Sequence, residues 1–116
     1  MIDELTIAQM ADMLSIASDN TRLSIMVCLL GDDFPRKEGH QCAMQNEIPM
    51  VERSVSEIVA STGASQSLVS HQLRILKDAK LVSVRREGRQ MFYSLSDEHV
   101  QELIEVVLEH VLEEKE

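Results

Sequence analysis

The stretch SVSEIVASTGASQSLVSHQLRILKDAKLVSVRREGRQMFYSL, residues 54–95, constrains the fold more than any other part of the chain. Its punctuation leaves little choice of element. Ser54 followed by Glu57 is a capping-box pattern, a hydroxyl and a carboxylate that each satisfy a backbone N–H left open in a first helical turn. The pattern predicts a short helix through Ile58, Val59 and Ala60 that ends at Thr62-Gly63. Ser65 then caps a second helix, Gln66 to about Lys80, with Val69, Leu73, Leu76 and Ala79 on its inner stripe. Two helices joined by a tight glycine-containing turn make a helix-turn-helix. The run LVSVRREGRQMFYSL adds two alternating segments around Glu87-Gly88-Arg89, a β-hairpin with glycine in its turn. The expected fold is mainly α with a small β-hairpin wing: a winged helix-turn-helix.

The flanks read as helices. Met10, Met13, Leu14 and Ala17, with Ile2 and Leu5 upstream, recur at three- and four-residue spacing, an amphipathic first helix. Asp19 offers an N-cap for a second helix, Thr21 to Leu30, stopped by Gly31. Ser96 is expected to cap a last helix whose stripe is Val100, Leu103, Ile104, Val107, Val111 and Leu112. Residues 31–53 carry both prolines and many polar groups, and read as a long loop or partly disordered insert. The 116 residues otherwise form one domain, 1–116. With only Phe34, Phe92 and Tyr93 as aromatics, the core is expected to be aliphatic and Met-filled, small enough to favour oligomerisation. Two cysteines, no signal peptide and no apolar run near the ~20 residues of a bilayer span point to a cytoplasmic chain with reduced thiols.

A net charge of −9 argues against nucleic acid until the charges are located. Between positions 65 and 90, six of the eleven basic residues face only Asp78 and Glu87, a local +4 that leaves −13 for the rest. Such a localised basic patch is a nucleic-acid footprint. On the helix opened by Ser65, the positions outside the apolar stripe are Gln66, Ser67, Ser70, His71 and Arg74. Gln can pair bidentately with adenine, Ser bonds either kind of base, and Arg reads guanine or pins phosphate. Arg85, Arg86 and Arg89 on the hairpin are expected to contact phosphates or probe the minor groove of double-stranded DNA.

STGASQSLVSHQLRILKDAKLVSVRREGRQMFYSL closely resembles the recognition helix and wing of the ArsR/SmtB family of bacterial metal-sensing repressors. The resemblance extends to ASDNTRLSIMVCLL and the final helix, so it covers most of the chain outside 31–53. It implies a homodimer, joined through the N- and C-terminal helices, that binds operator DNA without metal and releases it when metal binds. It also implies that Gln66, Ser67, Ser70 and His71 form the base-reading group, and that the regulated genes serve metal efflux or sequestration.

In LSDEHVQELIEVVLEHVLEEKE, His99 and His110 return to within roughly 20° of one azimuth, with Glu113 about 60° from His110. The axial rise sets the two imidazoles ~16 Å apart, far beyond the ~2 Å bonds of one zinc site. One chain therefore cannot close a site on this stripe. If the final helices of two protomers pack antiparallel, Asp97 and His99 of one meet His110 and Glu113 of the other, giving two N₂O₂ shells suited to Zn(II) or Co(II). The spacing D-x-H-x10-H-x2-E resembles the C-terminal-helix site of the zinc- and cobalt-sensing branch, which often places His where Glu113 stands. A backbone carbonyl in the Asp78–Lys80 turn is the expected partner for the second ring nitrogen of His110.

Other members of the family use a Cys-x-Cys in the first helix of the helix-turn-helix, and SVSEIVAST has none. Cys28, in the apolar run IMVCLL, reads as a buried structural thiol, while Cys42 beside His40 is open to an accessory role. Three alternatives stand beside the metal sensor. A repressor responding to oxidation or thiolate-bound metal through Cys28 and Cys42 would lose induction when both are replaced by Ser. A zinc hydrolase needs a pocket, an oxyanion hole and a positioned base, none of which is visible, so no enzyme is expected. A constitutive nucleoid-type binder would bind DNA equally with and without zinc.

Overall fold

A computed structural model describes residues 2–31 and 51–114. Phe34, His40 and Cys42, and most of the 31–53 insert, lie outside the described residues.

Helix α1 (Glu4–Ala17) begins where Asp3 accepts the Thr6 N–H at 2.8 Å. It lies on the rest of the chain mainly through its C-terminal end, and only Ala17 is buried. Leu5, Met10, Met13 and Leu14 stay exposed, so the amphipathic stripe exists but the described residues do not cover it. Asp19 caps α2 (Asn20–Cys28) by accepting the Arg22 N–H, and the helix drives Ile25 and Met26 to complete burial. It ends two residues short of Leu30, with Leu29 and Leu30 buried in the turn that follows. Gly31 has φ +94°, and a Cβ there would lie 2.7 Å from Val51 Cγ2. Both conditions require glycine, and together they bring the chain's return at Val51 against its departure at Gly31.

The return forms a strand that the sequence pattern does not announce. β1 (Arg53–Ser54) pairs antiparallel with the middle strand of the wing, Arg53 opposite Tyr93 and Ser54 opposite Phe92. The wing is thus a three-stranded sheet in the order β1-β3-β2, with β2 (Val82–Glu87) and β3 (Gln90–Leu95) joined across Gly88 at φ +62°. Arg53 also donates from Nε to the Cys28 carbonyl at 2.9 Å, tying β1 to the end of α2.

The caps fall where the serines stand. Around α3 (Val55–Thr62), Ser54 Oγ accepts the Glu57 N–H and Glu57 Oε1 accepts the Ser54 N–H, both halves of the capping box. These bonds, the backbone one foremost, hold the Glu57 carboxyl below the usual range. Gly63 closes the helix in the left-handed region. Ser65 opens α4 (Gln66–Asp78) by accepting the Leu68 N–H, and Val69, Leu73 and Leu76 are fully buried. The final helix, α5 (Glu98–Glu114), starts later than Ser96 would set it. Asp97 Oδ1 accepts the Val100 N–H at 2.9 Å and acts as the cap. Ser96 turns back instead, donating its hydroxyl to the Lys80 carbonyl at 2.7 Å and its N–H to Leu81 O. The turn it clasps holds Lys80 at φ +63°, the one non-glycine residue with positive φ among those described.

The core is aliphatic as expected, built on Ile25, Ile58, Val69, Leu73, Leu76, Leu81 and Leu95. It is not Met-filled: among the described residues Met26 alone is in it, while Met10, Met13 and Met91 are exposed. Periodicity places a residue on an apolar face without saying which molecule covers that face.

Candidate nucleic-acid interface and metal-ligand face

Helix α4 offers a continuous polar face because its apolar stripe consumes only one side. Gln66, Ser67, Ser70, His71 and Arg74 are all exposed, in one block over the N-terminal and middle turns. The helix is held from behind as well as by its stripe. Arg22, half-buried on α2, donates from one terminal nitrogen to Gln72 Oε1 at 2.7 Å and from Nε to the Ile16 carbonyl at 2.6 Å. One guanidinium therefore links the end of α1 to α4.

The wing arginines are exposed but differ from one another. Arg85 Nε and one terminal nitrogen meet both oxygens of Glu52, its other terminal nitrogen meets Glu87, and its guanidinium carbon lies 5.0 Å from the centre of the Phe92 ring. These bonds lower the Glu52 carboxyl and raise the guanidinium. Arg86 donates to the Gly88 carbonyl at 3.3 Å, and Arg89 sits at the tip.

On α5 the buried side carries Val100, Gln101, Ile104 and Glu105. The opposite side carries exposed His99, Leu103, Val106, Val107 and His110, with exposed Glu113 beyond. Val106 joins this stripe beyond the positions expected from the sequence. Among the described residues of one chain, no three His, Cys, Asp or Glu side chains converge to hold an ion. This agrees with the ~16 Å that helical rise places between the two imidazoles. Asp97 is exposed at the start of the helix with one oxygen committed to the cap; a carboxylate keeps a second oxygen for another partner. The Lys80 carbonyl, in the turn expected to receive His110, already accepts the Ser96 hydroxyl.

Cys28 is half-buried, less sealed than its apolar surroundings predict, and lines an open cavity of about 1070 Å³ with Ser24, Arg53, Thr62 and Val111. That cavity contains none of Asp97, His99, His110 or Glu113. No helix among the described residues is long and apolar enough to cross a membrane.

Comparison with known proteins bears on the same segments. The family model described as bacterial regulatory protein, arsR family, matches residues 51–84, from β1 through the first residues of β2. The chain is 38% identical over 105 residues to the transcriptional repressor SmtB homolog of a Synechocystis species, covering 90% of this chain and 65% of that protein. It is 31% identical over 109 residues to the HTH-type transcriptional regulator NmtR of Mycobacterium tuberculosis, covering 94% and 75%. A homodimeric winged helix-turn-helix DNA-binding domain from Mycobacterium bovis, described as a possible ArsR-family regulator, superimposes with TM-score 0.69 at 26% identity, covering 96% of this chain and 84% of that one.

Proposed function

The chain belongs to the ArsR/SmtB family of bacterial regulatory proteins, and from that premise we propose that it is a metal-responsive transcriptional repressor, acting in the cytoplasm as a homodimer. Its relatives and its fold are those of DNA-binding regulators, not of enzymes. In this reading the metal-free dimer holds operator DNA and lets go when Zn(II) or Co(II) is bound, derepressing efflux or sequestration genes.

One observation carries the metal assignment: on α5, two imidazoles share a face with Leu103, Val106 and Val107 that stays exposed among the described residues. Apolar side chains gain about 1.5–3 kcal/mol each on full burial, so the face is built for a second helix. Against an antiparallel copy, Asp97 and His99 of one protomer and His110 and Glu113 of its partner supply two nitrogens and two oxygens. That donor set fits a tetrahedral divalent ion. The ion, when bound, supplies a cross-link between chains and no chemistry on DNA. The four donors thereby fix the mutual angle of two α5 helices, and with it the spacing of the two α4 helices. Adjacent half-sites on B-DNA lie about 34 Å apart, so a changed spacing lowers affinity. On the DNA side the readers are Gln66, Ser67, Ser70, His71 and Arg74, with the wing arginines on the backbone.

The test is anisotropy with a duplex recovered by selection from a random-sequence pool, titrated with zinc. The parent should bind without metal and weaken with zinc, and zinc affinity should fall by the same factor on DNA. His99→Ala and His110→Ala should bind DNA but ignore zinc. A zinc response that survives both substitutions, or none in the parent, rejects the ligand set. The half-buried Cys28 beside an open cavity favours one second reading, a thiol-responsive repressor using Cys28 and Cys42. Replacing both by Ser would abolish induction there and leave zinc release intact here.

A further inference from the structure

We propose that Arg85 is the keystone of the wing, a positioning residue held by Glu52 across the sheet, and that Arg86 and Arg89 alone make the wing's phosphate contacts. The inference rests on the DNA-binding reading above and changes what one of its residues does.

The strand order carries the argument. Glu52 immediately precedes β1, Arg85 is on β2, and β3 runs between them. To meet Glu52 the Arg85 side chain must cross β3, and it crosses over Phe92, its direct cross-strand neighbour. Alternation puts Arg85, Glu87 and Phe92 on one face of the sheet, while Val82 and Leu95 carry the other face into the core. Arg86 pairs with Met91 on that second face, and Arg89 is at the tip.

The guanidinium thus lies over the sheet, its central carbon 5.0 Å from the centre of the half-buried Phe92 ring. Glu52 takes it bidentately, at 2.9 Å and 3.0 Å, and Glu87 takes the far nitrogen at 2.9 Å. Two carboxylates on one guanidinium leave the group at a net −1, which repels a phosphate. The bridge also serves a need that the backbone leaves open. β1 contributes only two residue pairs to the sheet, Arg53 with Tyr93 and Ser54 with Phe92, too few to fix the wing's angle on α3. Arg85 adds a side-chain tie between the outer strands, so the pitch at which Arg86 and Arg89 leave the protein is set through Glu52.

The probe is a mixed-sequence duplex long enough for two half-sites, bound by the full chain over a range of salt concentrations. Each lost phosphate contact lowers the slope of log K on log salt by about one, so Arg86→Gln and Arg89→Gln should each show that drop. Arg85→Met and Glu52→Gln should leave the slope at the parent value while weakening binding by roughly two- to five-fold, the range of an exposed ion pair. The double variant should bind no worse than either single one. A slope lowered by about one in Arg85→Met overturns the assignment, as does tighter binding by Glu52→Gln, which would mean that Glu52 masks a phosphate contact. Parent binding that ignores salt sinks the DNA-binding reading instead. In that case, additive rather than coupled effects of the two substitutions on thermal unfolding, read without DNA, would separately reject the Glu52–Arg85 tie.

Discussion

Single residues decide where each element begins, and their chemistry is testable one at a time. Removing the Ser54 hydroxyl strips α3 of half its capping box, so Ser54→Ala should cost about 1 kcal/mol, visible as a lower urea midpoint with unchanged slope. Because the Glu57 carboxyl is held below its usual range, its contribution is present above the unfolded value and fades as pH falls through the depressed one. Glu57→Gln should therefore lower stability at neutral and alkaline pH and leave the acid end little changed, flattening the acid limb of a stability–pH curve. Gly31→Ala should destabilise by more than about 1 kcal/mol, since φ +94° strains any side chain and Val51 would have to shift from 2.7 Å. At this scale the sequence is legible when a signal is local: Ser54, Glu57, Gly63 and Ser65 each act within four residues of themselves. It is silent when a partner is distant. Arg85 counts as one more wing cation until Glu52, 33 positions away, is seen to hold it.

Elements are legible when they are long and periodic, which is why the five helices and the hairpin could be expected and β1 could not. Two residues at the edge of a polar stretch have no alternation to read. The start of α5 was misassigned for a different reason. Ser96 and Asp97 are both good caps, and which of them serves depends on where β3 releases the chain and on the Lys80 carbonyl that claims the serine. Asp97 consequently has two duties, cap and proposed ligand, and they can be separated. Asp97→Asn keeps a capping side chain and should leave metal-free unfolding within about 0.5 kcal/mol of the parent while weakening zinc binding. Asp97→Ala should lose both, which calorimetry and a zinc titration would report independently. Between α1, α2 and α4, Arg22→Met removes two half-buried bonds, to Ile16 and Gln72, and should lower the unfolding temperature by several degrees.

At the scale of the whole molecule, two apolar faces stay open among the described residues. The exposed apolar residues of α1 (Leu5, Ile7, Met10, Leu14) and of α5 (Leu103, Val106, Val107, Val111) are the same kind of side chain as the core, differing in that no described residue covers them. A charge placed among them, as in Val106→Glu, should shift sedimentation toward the monomer and, with the partner gone, remove zinc-dependent release even though all four proposed donors remain. The sequence showed both stripes without saying what covers them, because a period of 3.6 residues is the same whichever molecule supplies the opposing surface, and the expectation of a dimer joined through these helices came from the family resemblance.

The contact of Val51 with Gly31 has a consequence for how such a protein can change over time. Gly31 and Val51 meet at one spot, which β1 and the Arg53 bond to Cys28 hold closed by contacts of their own. Each doubling in the length of a flexible tether costs only about 0.6 kcal/mol of closure entropy. Anchors fixed to each other in this way make a change in the number of residues between them cheap in closure entropy, and a length series spliced between Gly31 and Val51 should unfold at nearly one temperature.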